Sequence, residues 1–158
     1  MKNLWFIIPG IFFCTGFALA QNDKEKKEIV FDKKLVCPFE WGIGREAKEA
    51  YSWDSQDMKV SMISKEDTVV RSCIDAKVSN IQPSEEGRYE IVIYYKDYYF
   101  WYSGVSKALV KINQSVKSGE VLATYTKGQE LEFRMFKDEE MMDPRKFLEC
   151  KINPEKQE

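Results

Sequence analysis

Val110-Lys111-Ile112-Asn113-Gln114-Ser115-Val116-Lys117-Ser118-Gly119-Glu120-Val121-Leu122-Ala123 is the stretch that decides how this chain folds. Its apolar positions are short β-branched groups interrupted by turn signals. Asn113-Gln114-Ser115 is a polar turn, and Ser118-Gly119 marks a tight one between Val116 and Val121. An amphipathic helix needs apolar residues recurring every three or four positions without such breaks. The stretch therefore predicts short strands joined by turns.

The same punctuation runs outward in both directions. Residues 68–74 and 77–81 are β-branched and separated by Asp75-Ala76, and 83–87 is a polar loop. Residues 89–95 alternate around Ile91 and Ile93, and 98–102 resume the pattern after Lys96-Asp97, which predicts a hairpin. In 131–136, Leu131, Phe133 and Met135 share one face, while Glu132, Arg134 and Phe136 share the other. Strands at this spacing predict an all-β sandwich or barrel. Helix is expected only in short pieces, at 46–51 and at 144–148, where Asp143 caps a turn with Pro144 in its first position.

The ends read differently. Lys2, the apolar run 4–17 and Ala18-Leu19-Ala20 form a signal-peptide pattern over 1–20, with cleavage before Gln21. Residues 21–28 are charged and poor in apolar groups, and 153–158 form a similar tail, which leaves 29–152 as one domain with its core at 57–148. No membrane span is expected once the leader is removed. Without residues 1–20, which hold one lysine and no acid, the chain carries 23 Lys+Arg against 26 Asp+Glu. That mildly acidic, mixed surface argues against a nucleic-acid partner, which needs a basic stripe. Cys37, Cys73 and Cys150 remain. In an oxidising compartment one disulfide and one thiol are the natural count. Cys37 and Cys150 near the domain ends are the favoured pair, and Cys73, inside an apolar run, is expected to be a buried thiol.

Tyr94-Tyr95-Lys96-Asp97-Tyr98-Tyr99-Phe100-Trp101-Tyr102 is the most conspicuous aromatic run. On a two-residue period half of these rings must face away from one core. Tyr95, Tyr99 and Trp101 are the candidate anchors for a glycan or a protein partner. The plainer alternative is that they pack beneath loops. Asn113-Gln114-Ser115 also fits the glycosylation triplet, a pattern common by chance.

The order of motifs from Asp57 to Leu148 resembles the lysostaphin-like, LytM-type zinc endopeptidases of peptidoglycan. Asp67-Thr68-Val69-Val70 is similar to that family's Gly-Thr-Pro-Val segment, and Asp75-Ala76-Lys77-Val78 to its Asp-Gly-x-Val turn. Tyr89-Glu90-Ile91-Val92-Ile93-Tyr94 resembles the strand that crosses the site, and Trp101-Tyr102-Ser103-Gly104-Val105-Ser106 the Tyr-Ala-His-Leu-Ser segment. The opening stretch follows Val-x-x-Gly-x-x-Val-x-x-Gly-x-x-Ile-Gly almost throughout. Glu130-Leu131-Glu132-Phe133-Arg134 stands where the family has His-Leu-His-Phe-Glu, and Asp143-Pro144-Arg145-Lys146-Phe147-Leu148 matches the closing Asn/Asp-Pro-x-x-Tyr/Phe-Leu. The resemblance implies the lysostaphin-like β-sheet core, a barrel-sandwich hybrid. Carrier domains share the valine-rich pattern, but their modified lysine is central in its turn, and here Ala76 holds that place.

The family holds zinc through His-x-x-x-Asp and the second His of His-x-His, and two further histidines assist the chemistry. Carried over, these positions fall on Asp57 and Ser61, on Gly104, and on Glu130 and Glu132. The chain has no histidine at all. Histidine is the usual acid-base group near neutrality and the usual catalytic zinc ligand. The resemblance therefore implies a pseudoenzyme: no catalytic residue, no zinc or other cofactor, and an exported, periplasmic or extracellular module. Such a module binds peptidoglycan or a cell-envelope protein and regulates a cell-wall hydrolase. The alternative is an endopeptidase whose Asp57, Glu130 and Glu132 hold a metal through oxygen ligands.

Overall fold

The computed structural model describes residues 31–40, 43–46 and 58–150. The expected leader at 1–20, the segment 21–28, Asp57 and the tail 153–158 lie outside them.

Thirteen short strands carry the described fold. They are β1 (Leu35–Val36), β2 (Ile43–Glu46), β3 (Val60–Ile63), β4 (Val69–Arg71), β5 (Ala76–Pro83), β6 (Tyr89–Tyr95) and β7 (Tyr98–Val105). After these come β8 (Lys107–Ala108), β9 (Ser115–Val116), β10 (Val121–Thr124), β11 (Glu130–Lys137), β12 (Glu140–Met142) and β13 (Leu148–Glu149). The large sheet runs β2-β3-β11-β7-β6-β5-β9, with β12 paired to β11. A second sheet runs β4-β10-β8, and β1 pairs with β13 in parallel. The described architecture is all-β, as the alternation predicts, and its sheets are open.

The opening stretch behaves as its turn chemistry requires. β9 and β10 flank the Ser118-Gly119 turn, with Gly119 at φ +81°, a conformation that glycine adopts without steric penalty. The Asp75 carboxylate accepts the Ser118 backbone N–H at 2.8 Å and faces the Lys117 amine at 3.3 Å, which ties this turn to the start of β5. β6 and β7 turn at Lys96-Asp97, as the break in the aromatic run predicts, with Lys96 at φ +54°.

The core lies between the inner face of the large sheet and the smaller one. Leu131, Phe133 and Met135 of β11, Phe100 and Tyr102 of β7, and Ile91 and Ile93 of β6 are fully buried there, with Val70 and Leu122 opposite. Removing such side chains from water contributes about 1.5–3 kcal/mol each, which makes this face the main source of stability. Tyr102 meets Phe133 edge-on at 5.1 Å, and its hydroxyl accepts the Cys73 backbone N–H at 2.9 Å. A buried hydroxyl and a buried amide thus satisfy each other.

The segment 31–40 closes the core at one end. Phe31 packs edge-on against Tyr98 and Phe147, Leu35 is fully buried, and Phe39 lies 4.5 Å from Tyr125. A disulfide joins Cys37 to Cys150, the pairing favoured from sequence, and Cys73 is a buried free thiol.

Of the two helical expectations, the one at 46–51 lies almost wholly outside the described residues, and the one at 144–148 is shortened. Glu46 ends strand β2, and 47–51 lie outside the described residues. Pro144–Lys146 is a single 3-10 turn, capped by Asp143, whose carboxylate accepts the Arg145 backbone N–H at 3.1 Å. It stops at Phe147 because Leu148 is drawn into β13 beside Leu35. Pairing with β1 outweighs the propensity of so short a helix. Among the described residues no helix is long and apolar enough to cross a membrane.

Candidate functional site

The outer face of the large sheet carries the positions that the family resemblance singles out. Cross-strand register places Ser61 opposite Glu132, Glu132 opposite Ser103, Ser103 opposite Glu90, and Glu90 opposite Gln82. One polar row therefore crosses β3, β11, β7, β6 and β5. Side chains directly opposite on one face lie close enough to bond, and the two pairs at Glu90 do. Ser103 donates to Glu90 Oε1 at 2.9 Å, and Gln82 Nε2 donates to Glu90 Oε2 at 2.7 Å.

Glu132 is the centre of this row. The Lys59 amine donates to its Oε1 at 2.7 Å, and the Arg134 guanidinium donates to its Oε2 at 2.8 Å. The Lys59, Glu132 and Arg134 side chains are 16%, 26% and 33% exposed, so the triad is partly withdrawn from water. Charge-assisted bonds are short and strong, and partial burial limits their screening by salt. Both carboxylate oxygens are committed to fixed cations.

Glu130 shares the outer face two residues earlier but is exposed. Its backbone carbonyl accepts from Arg88 Nη1 at 3.3 Å, while Arg88 Nη2 pairs with Glu86 at 3.0 Å. Gly104 is buried beside it with φ +99°. A Cβ there would stand 2.6 Å from the Glu130 carbonyl oxygen and 3.2 Å from Arg88 Nη1. This backbone excludes any larger side chain, including the histidine that the family places here, unless β11 moves. Ser61 is 5% exposed.

These residues do not fit the family's zinc. A catalytic zinc needs three nitrogen, sulfur or oxygen ligands from the protein at about 2.0–2.3 Å. Ser61 offers a neutral hydroxyl, Gly104 offers nothing, and Glu132 is flanked by two cations that repel a third. Asp57 lies outside the described residues, so the oxygen-ligand alternative rests here on Glu130 and the already paired Glu132.

The aromatic candidates divide between the two faces. Tyr95 stands opposite Tyr98 on the inner face, packs against the core, and carries the Lys33 amine 4.2 Å above its ring. Tyr99 and Trp101 lie on the outer face. Next to the polar row, Arg134, Trp101, Val92 and Asn80 form a second line, and beyond it Phe136, Tyr99, Tyr94 and Lys77 form a third. The hairpin register fixes this division: the two-residue turn pairs Tyr95 with Tyr98 and Tyr94 with Tyr99, so Tyr95 and Tyr99 fall on opposite faces. Val92 is 4% exposed although it belongs to this outer face and not to the core cluster.

Two site residues were missed by sequence reading. Arg134 was recognisable, since it follows Glu132 by two positions on the same strand face. Lys59 gave no signal, because its pairing depends on the β3–β11 register.

Comparisons with known proteins agree with this geometry. Residues 57–144 match Peptidase family M23. The chain is similar in structure to Helicobacter pylori Csd3, with TM-score 0.62 and 16% identity over 75% of this chain and 34% of that one. It therefore spans about a third of that protein's length. It is also similar to a chain of the SpoIIQ-SpoIIIAH pore forming complex, with TM-score 0.60 and 16% identity over 74% of this chain and 92% of that one. The catalytic domain of the antimicrobial peptidase lysostaphin from Staphylococcus simulans gives TM-score 0.52 and 22% identity over 66% of this chain and 87% of that one. At these identities the likeness is one of fold. A comparison with curated protein sequences gives no match.

Proposed function

The chain belongs to Peptidase family M23, and from that premise we propose that it is an exported, non-catalytic member that binds a cell-envelope partner. The observation that carries this reading is Glu132. It stands at a zinc-ligand position of the resembling peptidases, and both of its oxygens are held by Lys59 and Arg134. Gly104, at the position of an assisting histidine, has no room for one. A metal-activated water needs an open coordination position among ligands free to bind. In place of that chemistry the outer face presents a neutralised polar row and an aromatic patch, features suited to recognition. A fold neighbour seen in a two-protein complex, SpoIIQ-SpoIIIAH, supports a protein partner over a soluble substrate. Regulation of a cell-wall hydrolase is the role such binding would serve.

Elemental analysis of the purified chain and digestion of cross-linked muropeptides test this reading. The expected result is substoichiometric metal and no cleavage. Stoichiometric metal, or cleavage abolished by Glu132→Ala, overturns it in favour of the oxygen-ligand hydrolase.

A further inference from the structure

The outer-face aromatic patch has a sided distribution of charge that goes beyond its being apolar. Tyr99, Trp101 and Phe136 line a shallow depression of about 380 Å³ with Val92 at its floor, and Asp138 and Glu139 stand on its rim. Among the described residues no lysine or arginine lines it. The two lysines of the adjoining turns are directed elsewhere. Lys96 lies 5.3 Å over Tyr95, and Lys137 lies 5.8 Å over Tyr98, both rings of the opposite face. Arg134, which stands opposite Trp101 on the outer face, is engaged by Glu132. At the far end of the third line, Lys77 stands opposite Tyr94, outside the depression.

The rim is held in place by the backbone. Asp138 adopts φ +50° in the turn between β11 and β12, and its N–H donates to the Asp97 carbonyl at 2.8 Å. The Lys96-Asp97 and Asp138-Glu139 turns are thereby fastened together, which keeps the Asp138 and Glu139 carboxylates beside the rings. Aromatic faces attract a cation through their quadrupole, and neighbouring carboxylates add to that attraction.

We propose that this depression receives a lysine or arginine side chain from an extended segment of a protein partner. The inference rests on the binding-module reading above and names the chemistry of the partner. The ammonium or guanidinium sits between the Trp101 and Tyr99 rings and the Asp138 and Glu139 carboxylates, while its methylene stem covers Val92 and Phe136.

A short capped peptide of alternating glycine and lysine, its Nε-acetyllysine analogue and a lysine-containing muropeptide serve as probes. The readout is NMR titration of the Trp101 indole signal on the purified full chain. The lysine peptide is expected to bind, at least tenfold more tightly than the acetylated one, with affinity falling as salt rises. Asp138→Asn with Glu139→Gln leaves the rings intact and is expected to weaken binding about tenfold. Trp101→Ala, followed instead through the Val92 backbone amide signal, is expected to abolish it. Equal binding of the acetylated peptide, no change in the Asn/Gln variant, or preference for the muropeptide overturns the proposal. Metal content and muropeptide cleavage on the same preparation report separately on the non-catalytic reading.

Discussion

Lys59 and Glu132 are separated by 73 residues in sequence and by 2.7 Å in space, and with Arg134 they form a partly buried ionic triad on the outer face of the large sheet. The contact links the residue preceding β3 to the middle of β11. It is a structural clasp that commits both oxygens of the Glu132 carboxylate.

Glu132→Ala is expected to destabilise the fold by about 1–3 kcal/mol, because Lys59 and Arg134 are then left adjacent and partly buried without their acceptor. Replacing all three with apolar residues of similar size should recover most of that loss. Urea denaturation of the variants measures both effects. A single-variant loss under about 0.5 kcal/mol would mean that the triad behaves as an ordinary surface pair.

Gly104→Ala should be more damaging than Gly87→Ala, although both positions have positive φ, +99° and +71°. Each suffers backbone strain of about 1–2 kcal/mol. Only at Gly104 does the added Cβ also meet a carbonyl oxygen at 2.6 Å, whereas nothing lies within 4 Å at Gly87. Equal melting temperatures for the two variants would contradict the crowding of β7 against β11.

Burial pushes the Cys73 thiol up from its ordinary value of 9.0 to about 12, and burial likewise raises the Tyr102 hydroxyl well above its ordinary value. The folded state thus keeps protons that the unfolded state releases. The Cys73 contribution is complete below pH 9 and is lost as pH rises from 9 toward 12, and that of Tyr102 is lost only above pH 10, by at most about 1.4 kcal/mol per pH unit for each group. Stability measured from pH 8 to 11 should fall, and Cys73→Ala should flatten the early part of that decline. A thiol reagent at pH 8 should leave native Cys73 unmodified and label it on denaturation.

The Cys37–Cys150 disulfide closes a loop of 113 residues and joins the segment 31–40 to the C-terminal strand β13. Paired Cys37→Ser and Cys150→Ser replacement should cost about 2–5 kcal/mol, mostly through a freer unfolded chain. Unchanged stability would indicate that Phe31, Leu35 and Phe39 hold this segment without the bond.

Much of the fold was legible residue by residue. The alternation Leu131-Glu132-Phe133-Arg134-Met135 gave both faces of β11, and Lys96-Asp97 and Ser118-Gly119 gave two turns. The closing helix was overestimated because nothing near Pro144 signals that Leu148 will pair with Leu35, a partner at the other end of the described chain. The site was legible only in part. The absence of histidine was written in the sequence, but Lys59 was invisible, and Tyr95 was grouped with rings on the opposite face.

The sequence by itself determined a chain of short alternating strands, a retained motif order, and a complete lack of histidine. Those are local facts, set by side-chain chemistry and a two-residue period. Only the tertiary structure decided which face of each strand turns inward and which distant residues meet. A period of two separates the faces without naming them, and the register between distant strands is fixed by burying the apolar set of all of them together. That packing puts Tyr99 and Trp101 beside Asp138 on one side, Tyr95 against the core on the other, and Lys59 on Glu132.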